Sequence, residues 1–239
     1  MPSITHILSQ TQHRPYVLPE GNWVYYQEWN RALFLHYKVP YESLRELVPN
    51  DLYLDSYDED YYVSLVAFTM EKIRPKYLPS VGFISDFDEI NVRTYVEKNG
   101  KKGVYFLNIE AGKMLSTLIA KSLSGLPYEF SSMKRTENQY ISHNKKKNFH
   151  FETAFEIGNH ISQKTELDLW ITERYCLFLD SDNTLYRYDI HHEEWKIKSL
   201  HINKLNVDYR LKNIHLTPNF DLCHYSEGTQ VISWSRVKL

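Results

Sequence analysis

One short stretch of this chain combines the residue types that acid–base chemistry and anion binding require. Side chains alternate between the two faces of a β-strand, so one face of the stretch carries an acid, an amide, a base and a phenol: Glu89, Asn91, Arg93 and Tyr95. The other face is apolar apart from one threonine: Ile90, Val92, Thr94 and Val96. Asn and Glu are poor strand formers, so the row favours the wall of a partly enclosed polar cavity, while a solvated strand face explains it about as often. We interpret Glu89 as a general base or acid and Arg93 as the group that holds a carboxylate or enolate oxygen, which makes them the predicted catalytic pair.

The next predicted strand, residues 104–110, offers further polar side chains. It returns from a turn at 99–103 with Asn108 and Glu110 on one face. If the apolar faces of the two strands match, Arg93 lies beside or diagonal to Asn108 with Glu110 close by, because a slip of one residue would exchange the faces. Glu89 and Arg93 are four residues apart, about 13 Å along a strand, so they cannot bond directly to each other.

Two histidines near the carboxyl terminus are candidate metal ligands. His191 and His192 are adjacent on a predicted strand at 185–191 and point to opposite faces, so they cannot easily share a metal, and we predict no metal site. His191 is a ligand-binding candidate if it points inward with Arg187 and Asp189, which precede it on the same face.

Glu173 and Arg174 lie at the end of a predicted short helix at 166–173. Arg174 could bind a ligand, or the two residues could tie the helix to the sheet. The second interpretation is favoured, because most such ion pairs are structural.

Charge and cysteine content exclude several classes of protein. The 239 residues include 28 basic and 30 acidic side chains, a net charge of −2, which does not favour nucleic acid or an anionic membrane as a partner. The two cysteines lack CxxC spacing, and no apolar stretch is long enough to cross a bilayer, so we expect a reduced, cytoplasmic protein. No glycine-rich phosphate loop or other cofactor motif occurs, so no cofactor is predicted.

The elements that would position these residues are mainly β-strands. Aromatic residues reach 15% of the chain, and many short alternating segments are separated by polar turns. Short helices are predicted at 41–48, 112–123 and 166–173. Residues 1–20 lack periodicity and are expected to form an extended arm, and residues 21–239 a single domain. The predicted fold class is mainly β (α+β), a large antiparallel barrel or sheet with a few inserted helices.

Several motifs in this order resemble one family. They are Asp88–Val96, 103–106, the turn Gly125-Leu126-Pro127 with Tyr128, 172–175, 185–192 and 224–234. From about residue 28 to the end, the chain is similar to the YqjF-like family, which belongs to the acetoacetate decarboxylase-like superfamily. The resemblance implies an antiparallel β-barrel with a central cavity.

In acetoacetate decarboxylase, a lysine after a Gly-x-Pro turn forms a Schiff base with the substrate, and its pKa is lowered by a second cationic group. Here Tyr128 and Glu129 occupy the place of that lysine pair, and tyrosine cannot form an imine. Glu89 matches a cavity glutamate of the superfamily, whereas Arg93 belongs to the YqjF-like pattern alone. Relatives assemble into large oligomers, so a homo-oligomer is compatible with the resemblance.

Two hypotheses carry equal weight at this point. In the first, the cavity binds a small anionic or carbonyl-bearing ligand, above all a carboxylate, and acts on it as a lyase or hydratase without a Schiff-base lysine. In the second, the barrel is a non-catalytic ligand-binding or structural protein. The predicted ligand-binding residues are Asn91, Tyr95, Asn108, Glu110, Tyr128 and His191.

Overall fold

Strands dominate the computed structural model, which describes residues 3–114, 116–117 and 125–239. Its helices are α1 (Ile4–Ser9), α2 (Tyr41–Arg45), α3 (Gly82–Ser85) and α4 (Glu166–Thr172). Its strands are β1 (Tyr25–Val39), β2 (Tyr53–Leu54), β3 (Tyr61–Pro75), β4 (Phe87–Lys98), β5 (Lys101–Ala111), β6 (Tyr128–Phe130), β7 (Ser132–Arg135), β8 (Gln139–Asn144), β9 (Phe149–His160), β10 (Cys176–Ser181), β11 (Thr184–His192), β12 (Ile197–Leu211), β13 (Ile214–Leu216), β14 (Leu222–Ser233) and β15 (Val237–Lys238). The mainly β fold class with a few short helices is confirmed.

Seven strands pair in a closed circuit, which we call the strand ring. The order is β11, β10, β5, β4, β3, β1 and β14, and β14 pairs back onto β11. All of these pairings are antiparallel except that of β5 with β10, and β6 also runs parallel to β5. Strand β10 runs parallel to β5, because the chain enters β10 from α4 and not from a hairpin with β5. The sheet is therefore mixed.

Two apolar cores lie on opposite sides of the ring wall. The inner core fills the ring with side chains such as Phe34, Phe68 and Trp195. The outer core lies where β8, β9 and β12 cover the other face, and it includes Ile90 and Val92 of β4. Strand β4 is thus buried on both faces, although only one face has an apolar row.

Several local predictions needed correction. The amino-terminal arm contains the helix α1, capped by the Ser3 side chain, and is not wholly extended. Strand β2 pairs with β4 and not with β3, the strand that follows it in the chain. The helix predicted at 112–123 falls largely on residues 115 and 118–124, outside the described part of the chain. No helix of the described ranges is long and apolar enough to cross a membrane.

The junction of β5 with β10 depends on a close approach at Gly103. A Cβ atom there would lie 2.6 Å from both the carbonyl oxygen and the Sγ of Cys176. We expect Gly103→Ala to lower the free energy of unfolding by about 1–3 kcal/mol in urea denaturation, because the backbone must shift to relieve the overlap.

Gly82→Ala is the matched control for this substitution. Its Cβ would meet first the Asp86 carboxylate at 3.2 Å, at the end of a side chain that can move aside. Equal losses for the two variants would show that the close approach does not hold the ring together.

Candidate functional site

The polar face of β4 lines an interior chamber of the strand ring. Glu89, Asn91 and Arg93 are all buried and border a cavity of about 90 Å³. Most of the remaining wall is apolar and aromatic, with Phe34, Phe68, Phe106, Trp29 and Trp195 among its members. We call this cavity the inner chamber. Its walls are mostly apolar, so charges in it interact more strongly than they would at an exposed surface.

Glu89 is held by two hydrogen-bond donors. The Asn91 side chain donates to one carboxylate oxygen at 3.2 Å, and the Tyr128 hydroxyl donates to the other at 3.0 Å. Burial raises the pKa of Glu89 to about 7, although both hydrogen bonds oppose the shift. Near neutral pH the carboxyl group can therefore take up or release a proton, as a general acid–base group must.

Arg93 has unused hydrogen-bonding capacity in the same chamber. Its Nε and Nη2 atoms are buried and have no hydrogen-bond partner among the described residues. The guanidinium carbon lies 5.9 Å from the ring centre of Phe34, and no described carboxylate forms an ion pair with it. Burial lowers the pKa of Arg93, an effect that the Tyr95 hydroxyl opposes, but a guanidinium remains charged in proteins. An unpaired buried cation of this kind favours an anion beside it.

Arg174 is a second cation in the chamber wall, and the sequence analysis did not select it as a site residue. It donates to Asp55 at 2.6 Å and to the carbonyl oxygen of Trp170 at 2.8 Å, and its guanidinium lies over the Trp170 and Tyr95 rings. Its Nη2 atom has no partner among the described residues. Arg174 therefore ties α4 to the sheet, as favoured from the sequence, and also presents a donor to the chamber.

Tyr128 occupies the position that the sequence analysis singled out after the Gly-x-Pro turn. Gly125 has a positive φ of 70°, and the turn delivers the Tyr128 side chain into the inner chamber against Glu89. Burial and the neighbouring Glu89 raise the pKa of Tyr128 well above its usual value, so the phenol remains a neutral donor. Among the described residues of the chamber wall there is no lysine.

Asn108 and Glu110 lie on the opposite side of β5 from Arg93, so the predicted proximity was wrong. A β-bulge at Leu107 pairs Val92 with Asn108 but Arg93 with Phe106, and the alternation of β5 changes face at this point. Glu110 instead accepts hydrogen bonds from three side chains in a cluster outside the chamber: Asn108, Asn144 and Tyr209. This cluster is fully paired around Glu110 and separate from the inner chamber.

His191 also lies away from the chamber. Its Nε2 atom is 2.7 Å from the carbonyl oxygen of Ile7, and its Nδ1 atom is 3.1 Å from Arg14, so it binds the amino-terminal arm. Burial lowers its pKa to about 4. The neighbouring His192 faces the chamber wall instead, because successive residues of β11 point to opposite sides.

Tyr95 is buried at the far end of the β4 row and takes part in a hydrogen-bonded chain. Asp168, His224, His36 and Ser64 connect to it through contacts of 2.9, 3.2, 2.6 and 2.5 Å. Burial lowers the pKa of both histidines, so both are neutral at neutral pH. No sequence pattern signals this chain, because its five members come from five separate elements.

The donor and the acceptor of the hydrogen bonds from Asp168 to Ser64 can be assigned. Since ionised Asp168 can only accept, His224 must donate its Nε2 proton, and its Nδ1 atom then accepts from His36. Ser64 then donates to His36, and the Tyr95 proton points either to Ser64 or to the carbonyl oxygen of Ile171 at 3.0 Å. The chain holds the Tyr95 hydroxyl oxygen near Arg93, although Tyr95 itself is not among the described wall residues of the inner chamber.

No group of three or more potential metal ligands is found among residues 3–114, 116–117 and 125–239.

Both the sequence and the fold of this chain are similar to those of known proteins. The family model for DUF2071, described as an uncharacterized conserved protein, matches residues 26–230. The uncharacterized protein YqjF of Bacillus subtilis (strain 168) is 34% identical over 231 residues, which cover 93% of this chain and 96% of YqjF. These two matches confirm the predicted resemblance.

Solved structures share the fold at low sequence identity. An acetoacetate decarboxylase from Legionella pneumophila superposes with a TM-score of 0.61 at 14% identity and covers 98% of this chain and 94% of its own. The enduracididine biosynthesis enzyme MppR complexed with pyruvate gives 0.60 at 10% identity and covers 94% and 93%. These similarities show the acetoacetate decarboxylase-like fold.

The raised pKa of Glu89 predicts a pH-dependent stability. From 4.5 to about 7, the unfolded chain releases this proton before the folded chain does, so stability is lost as the pH rises through that window. At about 1.4 kcal/mol per pKa unit, the loss above pH 7 is on the order of 3 kcal/mol. We expect Glu89→Gln to be more stable than the parent protein at pH 8 and nearly equal at pH 5, measured by urea denaturation.

Glu20→Gln is the control, because Glu20 is exposed. It should leave the difference in stability between pH 5 and pH 8 unchanged. A parent protein that is as stable at pH 8 as Glu89→Gln would contradict a buried carboxyl group that ionises near pH 7.

Proposed function

The chain belongs to the DUF2071 family of uncharacterized conserved proteins, and from that premise we propose that its inner chamber binds a small carboxylate that carries a carbonyl group. The proposed reaction class is that of a lyase or hydratase acting next to the carbonyl, without a Schiff-base lysine. The ligand is a small molecule and not a nucleic acid or a membrane. A cytoplasmic location and a homo-oligomeric state stay predictions.

The unpaired guanidinium nitrogens in the chamber are the observation that carries this proposal. Arg93 offers Nε and Nη2, and Arg174 offers Nη2, all buried and without partners among the described residues. A guanidinium presents its donors in a planar fork that matches the two oxygens of a carboxylate. A bound carboxylate would supply the missing charge and the missing acceptors together.

Glu89 and Tyr128 supply the acid–base part of the proposal. With a pKa near 7, the Glu89 carboxylate can remove a proton from the carbon next to the carbonyl. The C–H electron pair then forms the carbon–carbon double bond, the π pair of the carbonyl moves onto its oxygen, and a guanidinium stabilises the enolate so formed. Returning the proton to carbon reverses the step, and departure of a group from the adjacent carbon would complete an elimination.

Similar folds support a ligand of this class. MppR has been solved in complex with pyruvate, and several neighbours are acetoacetate decarboxylases, so this fold accommodates small oxo acids. Decarboxylation through an imine is not part of the proposal, because Tyr128 stands where the resemblance would require lysine. A chamber without lysine among its described wall residues favours proton transfer over covalent catalysis.

The non-catalytic alternative is favoured by one feature. Both oxygens of Glu89 already accept hydrogen bonds within the protein, so the carboxyl group is satisfied without a ligand. In this alternative, Arg93 binds the carboxylate and no bond is broken.

Arg93→Met tests the binding step. It keeps an unbranched apolar stem but removes the guanidinium group with its charge, and charge-assisted hydrogen bonds contribute about 1.5–3 kcal/mol each. We expect pyruvate affinity, measured by isothermal titration calorimetry, to fall by on the order of a hundredfold. The free energy of unfolding should not decrease, because the variant removes a buried charge that has no ion-pair partner among the described residues.

Arg210→Met is the matched control, since Arg210 is exposed and pairs with Asp208 away from the chamber. It should leave pyruvate affinity unchanged. Unaltered pyruvate binding in Arg93→Met, or a large loss of stability with it, would assign Arg93 a structural role.

Proton exchange tests the catalytic step. In deuterium oxide, the parent protein should exchange the methyl protons of pyruvate with solvent, detected by proton NMR, and Glu89→Gln should reduce the rate by at least about a hundredfold. Borohydride should trap no covalent adduct at the chamber. Binding without exchange would select the non-catalytic alternative, and a trapped adduct would contradict the mechanism.

A further inference from the structure

A second, larger chamber adjoins the first one inside the protein. It has a volume of about 360 Å³, within the range of about 300 to 1,000 Å³ typical of ligand pockets. Aromatic and aliphatic side chains form most of its wall, including Tyr25, Ile73, Leu78, Val81, Ile84 and Phe87. We call it the outer chamber. Arg74 is the one charged residue among its described wall residues, and its guanidinium lies 4.8 Å from the ring centre of Tyr26.

The two chambers share part of their walls. The shared residues are Gln27, Trp29, Leu126, Tyr128, Leu177 and Ile190. Tyr128 therefore borders the outer chamber while its hydroxyl binds Glu89 in the inner one. A molecule seated against Glu89 and Arg93 has the outer chamber as its adjoining space.

The inner chamber is too small to hold more than the polar head of a ligand. Its volume of about 90 Å³ corresponds to on the order of three water-sized groups, at about 30 Å³ each. A carboxylate with its neighbouring carbonyl fills such a space. Any further carbon atoms must extend past Tyr128 and Trp29 into the apolar chamber.

The mouth of the outer chamber has the same apolar character. Leu78 and Val81 are more than half exposed and lie in its wall, and Tyr77 and Phe83 of the same segment are exposed beside them. Exposed apolar side chains gathered around a cavity mark a site that binds an apolar group. The charges that would bind a polar tail are missing from the described wall, apart from Arg74.

We infer that the ligand of this protein is a carboxylate with an apolar alkyl tail, whose head occupies the inner chamber and whose tail occupies the outer chamber. The inference rests on the proposed function, since it uses Arg93 as the anchor for the carboxylate. It goes further by excluding the shortest oxo acids as the preferred ligands. Trp29 supports this arrangement, because its indole Nε1 is buried at the junction and has no partner among the described residues, so it can donate to an oxygen of the head.

A homologous series of straight-chain 2-oxo acids tests the inference on the 239-residue chain. Isothermal titration calorimetry would compare pyruvate, 2-oxobutanoate, 2-oxohexanoate and 2-oxooctanoate. Each buried methylene contributes about 0.8 kcal/mol, so affinity should rise about fourfold per added carbon until the outer chamber is full.

Val81→Asp and Phe83→Asp form the matched pair of variants. Both residues are exposed and lie in one segment, but only Val81 lies in the described wall of the outer chamber. Val81→Asp should lower the ratio of 2-oxooctanoate affinity to pyruvate affinity at least about tenfold, and Phe83→Asp should leave that ratio unchanged.

The possible results separate the two proposals. A series that rises with chain length and depends on Val81 supports the apolar tail. Pyruvate binding without any dependence on chain length would overturn the tail and leave the proposed function standing, whereas failure of all four acids to bind would overturn both. Equal effects of the two aspartates would also overturn the tail, because they would assign the chain-length effect to the exposed surface and not to the chamber.

Discussion

The structure depends on a strand that is buried on both faces. Because side chains alternate along β4, Ile90 and Val92 enter the outer core, and the residues between and beside them must enter the interior of the strand ring. Glu89, Asn91 and Arg93 are therefore buried together in apolar surroundings. Buried polar groups need hydrogen-bond or ion-pair partners, because burial without them costs free energy. The partners of each residue therefore determine which chemistry the inner chamber can support.

The two ionisable groups on the polar face of β4, Glu89 and Arg93, are stabilised in different ways. Glu89 accepts two hydrogen bonds and has a raised pKa, so its carboxyl group can be neutral or ionised near neutral pH. The guanidinium of Arg93 stays charged, because a guanidinium does not lose its proton in proteins. Arg174 is compensated by Asp55, whereas Arg93 has, among the residues that the structure describes, the Tyr95 hydroxyl and the face of Phe34 but no carboxylate. The chamber thus holds an excess of positive charge that an anionic ligand would balance.

Which polar residues share one face of β4 could be predicted from the sequence, because the alternation of side chains along a strand is a local property. The register against β5 could not, since the bulge at Leu107 inserts one residue and changes the face of everything beyond it. That single residue separates Asn108 and Glu110 from Arg93. The choice between His191 and His192 failed for a related reason, because either face of β11 could have been the inner one until the docking of the amino-terminal arm was known.

Contacts between distant elements set a second limit on prediction. Arg174 reaches the chamber only because α4 packs against β4, and the chain from Asp168 to Tyr95 joins residues that are up to 188 positions apart. No local pattern signals such contacts. The mainly β fold was accessible, by contrast, because it follows from many short alternating segments and from the order of the family motifs.

The residue that follows the Gly125-Leu126-Pro127 turn influences what Glu89 can do. That turn brings the Tyr128 hydroxyl against the Glu89 carboxyl group. A lysine there would compete with Arg93 as a cation and could attack a carbonyl group through its amine. The phenol can do neither, and its hydrogen bond stabilises the ionised form of Glu89 while burial stabilises the neutral form. These opposing effects leave the pKa near 7, so a residue that excludes imine chemistry at this turn also tunes the neighbouring carboxyl group for proton transfer.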